Sequence, residues 1–174
     1  MKKVLLTGAT GYLGSKLAAK LLQADYPLAC PILSDVELGY LSPYIQQVEG
    51  IMIDSSMMDE KIMSFSPDIV IHMACRYDRD NIPLMDLTDA NLIFPLKILS
   101  TILKMPHKVL WLNTNTALGC ILNGYTLSKY QFAEWGRYYS LQGKIDFSNI
   151  LLEHFFGEGD SSTKFFPYLL GAVR

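Results

Sequence analysis

Short, nearly continuous apolar runs alternate along the chain with longer stretches in which apolar residues recur every three or four positions. The short runs cover residues 3–7, 28–33, 51–53, 69–73, 108–113 and 145–152. Runs of this length without polar alternation predict strands buried on both faces. The longer stretches predict helices at about 12–23, 57–64, 84–105 and 124–142. In the third helix, Asp86 and Asp89 offer later starting points, and Pro95 is expected to kink it or shift its start. Residues 34–50 follow neither period, because Gly39, Pro43 and Gly50 interrupt them. Strand–helix alternation requires crossover connections, so the expected architecture is α/β: a doubly wound parallel sheet with helices on both faces.

Composition narrows the functional classes. With 174 residues, half of them hydrophobic and 18% charged, the chain has apolar material for one core and is expected to form one domain over 1–174. Fifteen basic against 17 acidic residues leave a net charge of -2, which offers no electrostatic field for nucleic acid. No apolar run approaches the roughly 18 residues of a membrane span. Met1-Lys2-Lys3 runs directly into the first strand, unlike a signal peptide. Cys30, Cys75 and Cys120 are far apart, without CxxC spacing. No metal site or disulfide framework is therefore expected, and a reducing cytoplasmic setting fits best.

The first strand leads into Thr7-Gly8-Ala9-Thr10-Gly11-Tyr12-Leu13-Gly14, which opens the first helix. In such a turn the first glycine permits the tight bend, the second lets backbone approach a pyrophosphate, and the third lets the helix pack on the strand. Gly8, Gly11, Tyr12, Leu13 and Gly14 are therefore cofactor-binding candidates, with the helix N-terminus turned towards phosphate. The arrangement predicts a Rossmann-type dinucleotide fold, and no GxxxxGK[ST] phosphate loop occurs.

The GxxGxxG spacing resembles the extended branch of the short-chain dehydrogenase/reductase superfamily, the NAD-dependent epimerase/dehydratase family. Three further segments fit that resemblance. Asp54, after the third strand, stands where these enzymes hold the adenine amino group. Asp68-Ile69-Val70-Ile71-His72-Met73-Ala74 is similar to the family's fourth strand, whose end, at Ala74, passes along the cofactor. His72 itself reads as a packed strand residue. Asn91 in Asp89-Ala90-Asn91 matches a family asparagine that supports the active site, with helix-start capping as the plainer role.

Tyr125-Thr126-Leu127-Ser128-Lys129 supplies a YxxxK pattern at the start of a helix. A second copy, Tyr12 and Lys16, straddles the glycine turn and reads as coincidence. Spacing of i,i+4 places Tyr125 and Lys129 on one helix face, where the ammonium is expected to lower the phenol's pKa and to hold the nicotinamide ribose. The resemblance makes Thr114, five residues before Gly119, the third catalytic residue, its hydroxyl directed at the substrate oxygen. A strand-end threonine satisfied by backbone is the structural alternative. Sugar-nucleotide dehydratases carry an Asp-Glu pair directly after this threonine, whereas this chain has Asn115 and Thr116. Amides and alcohols cannot do that acid–base work. The resemblance therefore implies hydride transfer alone, as ketoreduction or epimerisation of a nucleotide sugar, and is strongest to the CDP-abequose/CDP-paratose synthase group.

Other features define the edges of this reading. Arg76, Asp78, Arg79 and Asp80 read as a solvated mixed-charge loop. Phe156-Gly157-Glu158-Gly159-Asp160 is similar to the family's Tyr-Gly-Pro-Gly-Asp turn, but the arginine usual just before it is missing. Family members continue well past this length, so residues 153–174 are expected to begin a substrate lobe that is largely absent. The cofactor is NAD or NADP. Asp35, at the end of the second strand with no basic residue beside it, favours a free ribose hydroxyl, while the most similar group uses NADPH. The family implies a homodimer through the helices at 84–105 and 124–142. The competing class is a nucleotide-binding regulator that keeps the fold without turnover, although it would have no need of Thr114, Tyr125 and Lys129 together.

Overall fold

The computed structural model describes residues 1–33, 38–53, 55–78 and 82–153, together with 155, 157 and 159. Six parallel strands form one sheet: β1 (Val4–Thr7), β2 (Leu28–Ile32), β3 (Glu49–Met52), β4 (Ile69–His72), β5 (Leu110–Thr116) and β6 (Asp146–Leu152), in the order β3-β2-β1-β4-β5-β6. The direction of winding reverses between β1 and β4, which opens a crevice at the carboxyl ends of those strands. The helices are α1 (Tyr12–Gln23), α2 (Met58–Phe65), α3 (Leu84–Thr88), α4 (Phe94–Ile102) and α5 (Gly124–Leu141).

Alternate residues of the central strands feed two cores. Val4 and Leu6 of β1 face Ala18 of α1 and Leu41 of a 3-10 helix at Gly39–Gln47. Leu5, Ala29, Ile51, Val70 and Trp111 point the other way, onto Ile62 of α2, Ile98 and Leu99 of α4, and Phe132 of α5. β1 and β2 are buried on both faces, as their unbroken apolar runs demand. The same expectation fails for β6, which is largely exposed. It pairs only with β5 among the described residues, so its apolar run packs less than its composition suggests.

Three boundaries depart from the sequence expectation. β3 begins at Glu49, before the predicted apolar run, because pairing with Ala29 of β2 extends it backwards. β5 continues past Asn113 to Thr116, held by parallel pairing of Thr114, Asn115 and Thr116 with Ile150, Leu151 and Leu152. The helix expected at 84–105 starts at Leu84 as its period implies, but it ends at Ile102 and is not cut at Pro95. Instead Asp89–Ile93 forms a π-helical turn between α3 and α4, in which the Phe94 N–H reaches back to the Asp89 carbonyl. Proline has no N–H to return to the carbonyl four residues earlier, and the wider turn absorbs that defect without breaking the helix. Such turns recur at functional sites, and this one carries Asn91.

Candidate active site

The carboxyl edge of the sheet borders a cleft of about 1960 Å³, lined by Gly8, Gly11, Tyr12, Leu13, Gly14, Ala74, Thr114, Tyr125 and Lys129 among others. A typical small-molecule site is roughly 300–1,000 Å³, so the cleft has room for a dinucleotide and a second ligand. The glycine turn forms one end. Gly8 has φ +74°, and a Cβ there would stand 2.6 Å from the Ala74 nitrogen, so it serves both the bend and a close approach to the end of β4. A Cβ on Gly14 would collide with the Gly8 carbonyl, which is how α1 packs onto the turn. Gly11, by contrast, is exposed, and a Cβ there meets only the Gly8 oxygen, at 3.3 Å. It is also the N-cap of α1, with no side-chain cap and no acid in the first turn. This uncapped helix start, without an acid in its first turn, suits an anion.

Thr7 ties this end to β4. Its Oγ1 accepts from the Met73 and Ala74 N–H groups at 3.1 Å and lies 2.7 Å from His72 Nδ1. His72 is enclosed by Phe94, Trp111 and Phe132. Burial, with Lys129 adding to it, holds its pKa well below the ordinary value, so the imidazole is neutral and packed, as the sequence suggested.

The other end is built on the start of α5. Asn123 and Thr126 form a reciprocal cap: the Asn123 side chain accepts from the Thr126 N–H at 2.9 Å, and the Asn123 N–H donates to Thr126 Oγ1 at 3.2 Å. The Gly124 N–H donates to Asp78 Oδ2 at 2.9 Å. Tyr125 and Lys129 follow on one face and both line the cleft. Lys129 is only 4% exposed and has no hydrogen-bond or ion-pair partner among the described residues. Burial lowers its pKa, opposed by Cys75. The expected lowering of the Tyr125 pKa is not found. Burial pushes the phenol above its ordinary value, and Cys75 and Tyr77 push the same way. Desolvation is the largest cause, and Tyr125 stands as a protonated phenol.

Thr114 lines the cleft and donates its hydroxyl to the His72 carbonyl at 3.0 Å. The backbone-satisfied alternative therefore describes its proton, while its oxygen lone pairs keep acceptor capacity. Asn115 is 2% exposed, its Oδ1 accepting from the Thr116 N–H at 2.8 Å, and its Nδ2 has no partner among the described residues. A buried donor left unmade costs about 1–3 kcal/mol. Asn91 does not line the cleft. It is 1% exposed, accepts from the Arg76 N–H at 2.7 Å, and donates to the Arg76 carbonyl at 2.8 Å and to Ser128 Oγ at 3.1 Å. It braces the loop after β4 against α5.

Asp35 and Asp54 lie outside the described residues, as do Phe156, Glu158, Asp160 and 161–174. Of the remainder of the expected lobe, Glu153 and Phe155 line the cleft. The Tyr12 and Lys16 copy of the YxxxK pattern is remote in role. The Lys16 ammonium sits 4.9 Å from the Tyr12 ring centroid, and that ring packs edge-on against Tyr40 at 6.0 Å, beside the glycine turn. Sequence reasoning passed over Cys75 and Tyr77, which line the cleft. Their position directly after the carboxyl end of β4, next to the switch point, was the signal that could have found them. No helix among the described residues is long and apolar enough to cross a membrane, and no cluster there has the makings of a metal site.

Comparison with known proteins agrees with this geometry. The model of the NAD dependent epimerase/dehydratase family matches residues 4–174. The CDP-abequose synthase of Salmonella typhimurium strain LT2 is 28% identical over 187 aligned residues, covering 98% of this chain and 59% of the relative. The enzyme of that name from Yersinia pseudotuberculosis is 25% identical, covering 99% and 62%. This chain thus spans about three-fifths of the length of these curated relatives. Among solved structures, UDP-glucuronic acid 4-epimerase from Bacillus cereus in complex with NAD superimposes with a TM-score of 0.82 at 16% identity, covering 98% of this chain and 62% of that one. The dTDP-glucose 4,6-dehydratase from Bacillus anthracis, also in complex with NAD, gives 0.77 at 16% identity, covering 99% and 61%.

Proposed function

Since this chain belongs to the NAD dependent epimerase/dehydratase family, we propose that it forms the dinucleotide-binding and hydride-transfer part of a nucleotide-sugar oxidoreductase, with reduction of a 4-keto sugar as its reaction. The supporting observation is Lys129: a buried lysine lining the cleft, one turn from a protonated tyrosine, with no hydrogen-bond or ion-pair partner among the described residues. Ribose hydroxyls of a nicotinamide dinucleotide would supply that acceptor, and the open face of Gly11 with the uncapped start of α1 fits its pyrophosphate. When bound, the nicotinamide ring supplies the hydride. Tyr125 gives its phenolic proton to the sugar carbonyl oxygen as charge develops there. The Lys129 ammonium stabilises the phenolate left behind and holds the ribose. Thr114 steadies the carbonyl oxygen once its hydroxyl turns from the His72 carbonyl.

Reduction is favoured over dehydration because Asn115 and Thr116 follow Thr114, and neither can carry a proton to or from a sugar carbon at neutral pH. The protonated state of Tyr125 suits a proton donor. The same proposal includes a homodimer through the outer faces of α4 and α5, where Leu96, Leu99 and Leu103 meet Trp135 and Tyr139 around a shallow apolar hollow.

The test combines nicotinamide fluorescence titration with turnover of 4-keto nucleotide sugars. Tyr125→Phe is expected to bind NADH or NADPH as the unmodified chain does and to lose about 10²–10⁴-fold in kcat. Lys129→Ala is expected to weaken both binding and turnover. Unchanged turnover in Tyr125→Phe overturns the assignment of the proton donor.

A further inference from the structure

Of the four residues after Ala74, three engage the start of α5 themselves and Arg76 does so through Asn91. The Cys75 sulfur lies near enough to Lys129 and Tyr125 to interact with both electrostatically. Arg76 has its N–H and its carbonyl bound by the Asn91 amide, which also reaches Ser128 on α5. Asp78 holds the Gly124 N–H. A Cβ on Gly124 would stand 3.1 Å from that carboxylate oxygen and 2.7 Å from the Leu87 side chain, so the contact needs a residue with no side chain there.

Tyr77 lies between these anchors. Its ring centroid is 4.9 Å from that of Tyr125, with the planes tilted by 35°. Its hydroxyl is hydrogen-bonded to the Cys75 sulfur. Even so, the residue is 42% exposed and lines the cleft. An aromatic ring fixed against a second ring, at its hydroxyl and through both backbone neighbours offers an apolar surface already ordered before any ligand arrives. Its contact with Tyr125, the proton donor of the proposed reaction, puts this surface beside the phenol that would meet the substrate carbonyl. Arg76, Asp78, Asp86 and Asn123 also line the cleft, Arg76 and Asp78 as the chain neighbours of Tyr77, and offer polar partners to a ligand on the ring. An apolar face rimmed by hydrogen-bonding groups matches a pyranose, which presents C–H bonds on its face and hydroxyls at its edge.

We infer that Tyr77 is the platform for the sugar ring of the substrate, a specificity-determining residue that sets the ring's C–H face beside the Tyr125 hydroxyl. This assignment rests on the nucleotide-sugar reading above. It is tested by saturation-transfer NMR on the NADH-loaded chain with CDP-glucose as the probe, a method suited to weak binding. The unmodified chain and Tyr77→Phe are expected to pass saturation to the glucose ring protons and to the cytosine protons. Tyr77→Ala is expected to lower the glucose signals by about fivefold relative to cytosine, with NADH affinity unchanged. Tyr77→Leu, which keeps apolar bulk without the ring, serves if Tyr77→Ala does not fold, and the same loss is expected. An unchanged glucose-to-cytosine ratio in either variant overturns the platform and leaves the nucleotide-sugar reading standing. If the unmodified chain binds NADH but passes no saturation to CDP-glucose, the nucleotide-sugar reading falls and the platform falls with it.

Discussion

A methyl group added at Gly14 would run into the Gly8 carbonyl and stand 3.1 Å from the Ala9 Cα, whereas one added at Gly11 meets only the Gly8 oxygen at 3.3 Å. These two glycines, both present for one turn, therefore fail differently. Gly14→Ala forces α1 away from β1, across a core in which Ala9 and Ala18 are fully buried. Overpacking of this kind costs about 1–3 kcal/mol. Gly11→Val leaves the packing of α1 intact and fills the space beside the uncapped helix start, so it is expected to fold normally and to lose dinucleotide binding. Urea unfolding and NADH titration on both variants separate the two effects. Retained NADH affinity in a folded Gly11→Val protein would show that no pyrophosphate lies on this turn. The bend at Gly8 and the close packing at Gly14 were legible from spacing, because both follow from backbone geometry within the turn, whereas the approach of Ala74 to Gly8 was not. The upward shift of the Tyr125 pKa was not legible, because it comes first from burial of the phenol and then from Cys75 and Tyr77, which are distant in sequence and adjacent only after folding.

Elements bring those residues together, and α5 does most of it. Its first turn carries Tyr125 and is fixed by three devices: the Asn123–Thr126 reciprocal cap, Thr126 Oγ1 donating to the Cys120 carbonyl at 2.9 Å, and Asp78 on the Gly124 N–H. Losing an N-cap of this type costs about 1 kcal/mol. Asn123→Ala is therefore expected to lower stability by about that much and, by fraying the turn that holds Tyr125, to reduce kcat more than KM. A chain with full stability loss but unchanged kcat would show that the Asp78 and Cys120 contacts hold the turn without the cap. The helical period and the YxxxK spacing made α5 readable in advance, with boundaries off by one residue at most. The π-helical turn at Asp89–Ile93 was not readable in that way. Pro95 announced a disturbance, but whether a helix answers with a kink, a stop or a wider turn is decided by what it packs against. Here Asn91 must reach both Arg76 and Ser128. The extension of β5 through Thr116 was hidden for the same reason, since it comes from pairing with β6 rather than from the polar residues themselves.

At the scale of the whole molecule, the cleft is where all these elements end. The turn after β1, the loop after β4, the end of β5 and the start of α5 contribute Gly11, Ala74, Thr114 and Tyr125 from four separate parts of the chain. Strand order alone puts them there, because the winding reverses between β1 and β4. A dinucleotide lying along this edge would touch segments that separate on unfolding, so it binds the folded chain and not the unfolded one. Ligand at a hundred times its Kd then adds about 2.7 kcal/mol to the folded state. For a chain of this size each kcal/mol raises Tm by roughly 2–4 °C, so a rise of about 5–11 °C is expected with saturating cofactor. Thermal unfolding with NADH and with NADPH in parallel measures this and, from the larger shift, identifies which of the two the site prefers. Gly11→Val should abolish the shift, and Tyr125→Phe should keep it, since the phenol is needed for proton transfer and not for holding the pyrophosphate. No shift with either dinucleotide at millimolar concentration would remove the cofactor from the cleft and with it the hydride-transfer function.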